Sequence, residues 1–225
     1  TQSRSSAASD VYKRQGYDTA VDVATNALDM LQPTAASHRR AMILEVMGRD
    51  AGHIALNAGI AGGADVILIP ELPYSIKGIA NHIDNIRSKG RNHALIVVAE
   101  AVKKEDGKKV TIKFVDGEVR LGGIGSYLGD EIYKITDAET RVTVLGHVQR
   151  GAQPTHRDRL IASAFGVKAV DLIANEKYNR VVVWQDRSVK DVSLDDIAGK
   201  SQTLSKTDPL IEVARGLGIY IGEFN

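Results

Sequence analysis

The sequence predicts an α/β fold of the doubly wound type, with a mostly parallel sheet covered by helices. Four short apolar runs rich in Val, Ile and Leu lead to this prediction, because they do not alternate with polar residues. Strands buried on both faces have this composition, and segments with helical spacing separate the runs. The predicted strands are 42–46, 66–69, 94–99 and 142–145. The predicted helices are 51–60, 76–88, 124–135 and 157–175.

The start of the chain differs from the rest in composition and periodicity. Residues 1–15 are polar, rich in Ser and without periodicity, so we expect a disordered lead or a non-native segment there. Residues 16–225 are predicted to form one α/β region, since no Gly/Ser or Pro linker divides them. That region is predicted to open with a helix that is capped by Asp18 and ended by Pro33.

Two segments depart from the alternation of strands and helices. Residues 110–121 alternate around Asp116-Gly117, which predicts an inserted β-hairpin, since Asp-Gly favours a tight turn between two strands. A second hairpin is predicted between Val181 and Val192.

Composition excludes several classes of function. The 225 residues carry a formal net charge of +1, which argues against a general nucleic-acid or anionic-membrane binder. There is no cysteine, so thiolate nucleophiles, disulfides and Cys-based zinc sites are excluded. No apolar run approaches the roughly 18 residues that span a bilayer. We therefore expect a cytoplasmic protein.

Polar residues follow the predicted strands, where ligands bind in open α/β sheets. Three or four arginines with a histidine, converging on one edge of the sheet, would suit a sugar phosphate, because guanidinium donors match phosphate oxygens. Glu71 is expected to be a solvated loop carboxylate, and the histidines other than His147 are too scattered to predict a metal site. The candidate binding residues at or near strand ends are Arg40, Met47, Gly48, Arg49, Glu100, Arg141, His147 and Arg150.

Two long stretches of these residues resemble 6-phosphofructokinases. They read SHRRAMILEVMGRDAGHIALNAGIAGGADVILIPE and RVTVLGHVQRGAQPTHRDRLIASAFG, and the resemblance runs from about Gly16 to the last residue. It implies a phosphofructokinase-like fold and a site for fructose 6-phosphate. In the intact enzyme, a phosphoryl group would pass to the 1-hydroxyl of this sugar and give fructose 1,6-bisphosphate.

The resemblance also implies a role for each candidate residue. The substrate loop would be Met47, Gly48 and Arg49, with Glu100 holding the sugar. His147 and Arg150 match the motif that grips the 6-phosphate. Arg40 and Arg141 match arginines that a neighbouring subunit contributes, which implies a homo-oligomer, either dimeric or tetrameric. Arg40 and Arg49 also resemble the residues that stabilise charge on the transferring phosphoryl group.

Two segments expected in this family are not found in the sequence. These are a Gly-rich nucleotide-binding segment and the motif that carries the general base. We therefore expect a partial chain whose Mg²⁺ and donor ligands lie elsewhere, and which is inactive in isolation. The donor in the intact protein would be ATP or, as the alternative, pyrophosphate. A non-catalytic sugar-phosphate-binding subunit is the third interpretation.

An effector site is also implied by the resemblance. Asp65, Lys89 and His93 occupy positions that resemble part of the site where allosteric members bind a nucleotide or phosphoenolpyruvate. Gln32 and Asn92 stand where basic residues are usual in that site. Regulation by the usual effectors is therefore not expected.

Overall fold

A parallel sheet of four strands lies at the centre of the structure. The computed structural model describes residues 16–48, 50–113, 119–185, 187–199 and 202–223. The sheet has the spatial order β2-β3-β1-β6, and its core is the pair β1 and β3, which is buried along its whole length. Its strands are β1 (Ala41–Val46), β2 (Val66–Leu68), β3 (Ala94–Ala99) and β6 (Thr140–Val144).

Helices cover both faces of this sheet. Successive residues of β1 point in opposite directions, so Met42 packs with Ala35 while Ile43 faces Gly129. The pair α1 and α2 lies on the Met42 side, and the pair α3 and α4 lies on the Ile43 side. This arrangement confirms the predicted doubly wound α/β fold. The helices are α1 (Tyr17–His38), α2 (His53–Ala61), α3 (Ile76–Ser88), α4 (Ile124–Thr136), α5 (His156–Ala174), α6 (Leu194–Ile197) and α7 (Pro209–Gly216).

The bounds predicted for α1 were wrong at both ends. Asp18 lies inside the first turn, and the N-cap is Gly16, which has a φ of 85°. Pro33 lies inside the helix, which continues to His38. Proline removes one backbone hydrogen bond, but the fully buried Ala35 packs against Met42 beyond it. Tertiary packing therefore outweighs the local helix-breaking tendency.

Both predicted hairpins are present. β4 (Thr111–Lys113) pairs antiparallel with β5 (Val119–Leu121), and their predicted turn at 116–117 lies outside the described residues. β7 (Arg180–Gln185) pairs antiparallel with β8 (Ser188–Ser193) and packs against α5. The predicted lead at 1–15 also lies outside the described residues.

The outward side of α5 is apolar. Leu160, Val167 and Val170 are exposed by 67%, 74% and 67%, whereas Ile161 and Leu172 on the inner side are buried. Large apolar side chains grouped at a helix surface are typical of an interaction surface. None of the helices in the described part of the chain is long and apolar enough to cross a bilayer.

Candidate functional site

Five of the predicted binding residues meet at the carboxyl end of the sheet. Met47 and Gly48 follow β1, and Glu100 follows β3. His147 and Arg150 lie in a single 3₁₀ turn, Gly146–Arg150, directly after β6. Because β3, β1 and β6 are neighbours in that order, the three strand exits lie side by side.

Hydrogen bonds tie these exits together. The Gly48 N–H donates to Oε1 of Glu100 at 3.3 Å, and the Met47 N–H donates to Oε1 of Gln149 at 2.7 Å. A Cβ at position 48 would lie 2.7 Å from the Ala51 carbonyl oxygen. Glycine is therefore required here by the tight turn between β1 and α2. Arg49, the third residue of the predicted substrate loop, lies outside the described residues.

The 3₁₀ turn presents His147 and Arg150 together. A 3₁₀ helix has three residues per turn, so side chains three positions apart are aligned. His147 and Arg150 are both exposed and have this spacing, while Gln149 between them is 1% exposed. An imidazole and a guanidinium on one exposed face can both donate hydrogen bonds to a phosphate, with the imidazole protonated or in the matching tautomer.

Arg40 and Arg141 lie at the opposite end of the sheet. Arg40 precedes β1, and Arg141 is the second residue of β6, paired with Met42. A six-residue strand is about 20 Å long, so these arginines do not reach the Met47–Gly48 loop of their own chain. The expectation that all the arginines converge on one edge was wrong for a single chain, because strand direction separates residues that precede a strand from those that follow it.

A shared carboxylate holds these two arginines next to each other. Arg40 donates from Nε to Oε2 of Glu139 at 2.8 Å, and Arg141 donates from Nη2 to Oε1 of the same carboxylate. The Arg40 hydrogen bond lowers the pKa of Glu139 below its usual value. Two guanidinium groups around one carboxylate leave a net positive, solvent-accessible surface, which we call the Arg40–Arg141 pair.

Asp65 and His93, two of the three predicted effector residues, form a polar cluster before β2 and β3. Nη1 of Arg91 donates to Oδ1 of Asp65 at 2.6 Å, and Nε of Arg91 lies 3.4 Å from Nε2 of His93. Burial raises the pKa of Asp65, and the Leu95 N–H and Arg91 oppose this shift. Lys89 lies at the exposed C-cap of α3. The sequence analysis missed Arg91, which links the other two members of the cluster.

The prediction for Glu71 was wrong. Its carboxylate accepts hydrogen bonds from the Gly52 N–H at 3.1 Å and from the Leu204 N–H at 2.9 Å. Gly52 is the N-cap of α2, and a carboxylate at a helix N-terminus satisfies free N–H groups and opposes the helix dipole. Glu71 therefore joins α2 to the segment around Leu204 that precedes α7, and it is not a solvated loop residue.

Comparison with known proteins identifies the family. The sequence model of the family described as "Phosphofructokinase" matches residues 10–173. This chain belongs to the phosphofructokinase family. It is 56% identical over 208 residues to "ATP-dependent 6-phosphofructokinase 1" of Nostoc sp., a match that covers 92% of this chain and 58% of that protein. A protein of the same name from Synechocystis sp. is 53% identical, with 92% and 57% covered.

A solved structure agrees with this family membership. Phosphofructokinase from Saccharomyces cerevisiae superposes with a TM-score of 0.70 at 30% identity, covering 86% of this chain and 25% of that one. The predicted family and α/β fold are confirmed. This chain spans less than two thirds of the length of the curated relatives named above.

Two buried polar residues near the site were missed by the sequence analysis. Gln149 accepts from Met47, and Glu45, which is 2% exposed, accepts from the N–H groups of Gly123 and Gly125 at the start of α4. A single acid inside the apolar run 42–46 was a usable signal for Glu45, since buried carboxylates require partners. No comparable signal marked Gln149.

The described residues contain no cluster of metal-ligating side chains. No group of three or more His, Cys, Asp or Glu side chains in this part of the phosphofructokinase chain could hold a metal ion.

Proposed function

We propose that this chain carries the sugar-phosphate site of an ATP-dependent 6-phosphofructokinase. In the complete protein, the 1-hydroxyl oxygen of fructose 6-phosphate attacks the γ-phosphorus of ATP. A new O–P bond forms, the bond to the β,γ-bridging oxygen breaks, ADP leaves, and the hydroxyl proton passes to a base. The products are fructose 1,6-bisphosphate and ADP.

One observation supports this proposal more than the others. His147 and Arg150 share one exposed face of a short turn, and that turn adjoins the loop where Gly48 meets Glu100. The imidazole of His147 and the guanidinium of Arg150 would bind the 6-phosphate, while Glu100 would accept hydrogen bonds from sugar hydroxyls. Met47, Gly48 and Arg49 would form the wall of the sugar pocket, and Arg49 would stabilise charge on the phosphoryl group in transfer.

The Arg40–Arg141 pair suggests a shared site in a homo-oligomer. It lies at the end of the sheet away from its own His147, so it would act on a second copy of the chain. There, both arginines would contact the 6-phosphate and Arg40 would also stabilise charge on the transferring group. We therefore propose a homo-oligomer in which each sugar site combines two subunits.

The donor site is proposed to lie in the part of the complete protein that this chain does not include. The named relatives extend beyond the matched region, and the donor ligands, Mg²⁺ ligands and general base are assigned to that part. The exposed apolar side of α5 is where such a segment would pack. Both named relatives are called ATP-dependent, which favours ATP over pyrophosphate as the donor. The proposed location is the cytoplasm, where the sugar phosphates of glycolysis occur.

The proposal is tested by binding and by activity. Fructose 6-phosphate should raise the melting temperature of the full-length protein, because a ligand that binds only the native state stabilises it. Arg150→Ala should weaken this binding by about 10- to 100-fold, since one charge-assisted hydrogen bond contributes about 1.5–3 kcal/mol. Arg187→Ala, which alters an exposed arginine in the β7–β8 turn, is the matched control.

The outcomes separate the three interpretations. Turnover with ATP supports the proposal. Turnover with pyrophosphate but not with ATP would show that pyrophosphate is the phosphoryl donor. Sugar-phosphate binding with no turnover for either donor would favour a binding subunit. Equal responses of Arg150→Ala and Arg187→Ala would remove Arg150 from the site. We expect the present chain alone to have no kinase activity.

A further inference from the structure

Gln149 is buried between two exposed residues of the proposed phosphate site. Its side chain is 1% exposed and forms two hydrogen bonds to backbone groups. Oε1 accepts from the Met47 N–H at 2.7 Å, and Nε2 donates to the Ala20 carbonyl oxygen at 3.3 Å. These bonds join the 3₁₀ turn to the loop after β1 and to the first turns of α1.

The geometry of the 3₁₀ turn lets Gln149 set the orientation of the His147 and Arg150 side chains. With three residues per turn, the side chains of His147 and Arg150 point in one direction and that of Gln149 points about 120° away. A turn of this length has few hydrogen bonds of its own. Anchoring Gln149 in the interior therefore fixes the rotation of the turn, and with it the direction in which the side chains of His147 and Arg150 project.

The same side chain also orders the Met47–Gly48 loop after β1, which we call the sugar loop. The Met47 N–H that bonds Gln149 belongs to the residue before Gly48, whose N–H bonds Glu100. A continuous path of contacts thus runs from α1 through Gln149 and the loop to Glu100. Replacing the amide by an apolar side chain would leave the Met47 N–H without its acceptor, so the loop would lose its fixed position.

The start of α5, five residues beyond the turn, is held independently of Gln149. The Thr155 N–H donates to Oγ1 of Thr19 at 3.2 Å, and the Thr19 hydroxyl donates to Asp158. Both contacts connect the start of α5 to α1. Removing the Gln149 amide should therefore loosen the loop and the turn without detaching α5 from the domain.

We propose that Gln149 is a positioning residue that sets the sugar loop and the phosphate-binding turn in register with each other. This inference rests on the proposed function, since it assigns the 6-phosphate to His147 and Arg150. Gln149 itself does not touch the substrate. It holds the sugar loop and the phosphate-binding turn in place before the ligand binds. Binding therefore costs less conformational entropy.

The experiment compares Gln149→Met with Gln153→Met in the full-length protein. Methionine keeps the unbranched shape and removes both hydrogen bonds, and Gln153 is an exposed glutamine of the same loop region. For Gln149→Met we expect the Met47 amide to exchange hydrogen at least tenfold faster. We also expect the Kd for fructose 6-phosphate to rise about tenfold, while the KM for the phosphoryl donor stays within twofold. Gln153→Met should change none of these values.

A second variant separates the two hydrogen bonds. Gln149→Glu keeps an acceptor for the Met47 N–H and loses the donor to Ala20, so protection of the Met47 amide should persist. Unchanged exchange in Gln149→Met would overturn the inference. Faster exchange of the Met47 amide with an unchanged affinity for fructose 6-phosphate would also overturn it. So would an equal loss of affinity for the sugar phosphate and the phosphoryl donor in Gln149→Met, because this would indicate general destabilisation.

Failure of the proposed function would give a different result. If the unaltered protein does not bind fructose 6-phosphate, the proposed function is refuted and the sugar-binding part of this inference falls with it. The exchange rate of Met47 in Gln149→Met and Gln149→Glu still decides whether Gln149 orders the loop.

Discussion

Replacing Asp158 with alanine should lower the free energy of unfolding by about 3–4 kcal/mol. Asp158 is 3% exposed and lies in the first turn of α5. Its carboxylate accepts from the Gly16 N–H at 3.0 Å, and from the N–H and hydroxyl of Thr19 at 2.8 and 2.5 Å. It therefore caps α1 from a distant part of the chain, where Gly16 has no side chain to do so.

The size of this loss in the free energy of unfolding depends on which hydrogen-bond donors are left without an acceptor. Gly16 is exposed, so water can replace the carboxylate at its N–H, whereas Thr19 is 6% exposed and its two donors would stay buried. Each buried donor left unpaired costs about 1.5–2 kcal/mol, within the usual range for hydrogen bonds to a charged group. In a protein of this size, each kcal/mol lowers Tm by about 2–4 °C, so the expected loss is about 6–16 °C.

Thermal and urea denaturation followed by circular dichroism measure this effect. Asp171→Ala is the matched control, since it removes an exposed aspartate from the last turns of the same helix and should change stability by less than about 0.5 kcal/mol. In a double-mutant cycle, Asp158→Ala and Thr19→Val should be strongly non-additive. A loss for Asp158→Ala no greater than that for the control would refute the reasoning.

Three further substitutions test local features. Gly52→Ala should destabilise the protein by about 3 kcal/mol in urea denaturation, because its Cβ would lie 2.2 Å from Cγ2 of Ile69. In the present chain, Gly166→Ala, in an exposed position of α5 with no neighbouring atom within 4 Å, should instead raise the free energy of unfolding by about 1 kcal/mol, and a loss there would contradict this account. Burial lowers the pKa of His82, so the neutral ring is favoured in the folded state. Stability from this residue is complete above about pH 6.5 and falls as the pH drops below that value. His82→Gln should therefore reduce the loss of stability as the pH falls below about 6.5, and an unchanged slope would exclude His82 as the cause.

The apolar runs predicted the sheet well because they are buried on both faces. β3 has the predicted bounds, 94–99, and all six of its residues are buried. β1 begins one residue earlier than predicted. The helix at 76–88 also has the predicted bounds, where Ser75 caps the first turn by accepting from the Gly78 N–H. Local sequence patterns predict an element well when an apolar pattern repeats over several residues, or when a capping residue lies directly beside the end of the helix.

The errors occurred where one residue depends on a partner far away in the sequence. Pro33 failed to end α1 because Ala35 packs on β1, and Glu71 is held by Gly52 and Leu204. Gln149 reads as one more polar residue in an exposed turn, yet it is buried. Neither periodicity nor composition reports such contacts, since each depends on how elements are brought together in three dimensions.

The sequence by itself determined that this chain forms a layered α/β sheet of the phosphofructokinase family, and it predicted a set of side chains for a sugar-phosphate site. Only the tertiary structure decided how those side chains are divided between the two ends of the sheet, and which buried amide and carboxylates hold them in place. The physical reason is that hydrophobic periodicity is written into neighbouring residues, whereas strand direction and hydrogen-bond partners arise only when distant segments pack. The separation of the Arg40–Arg141 pair from His147 and Arg150 follows from parallel strands that all run the same way.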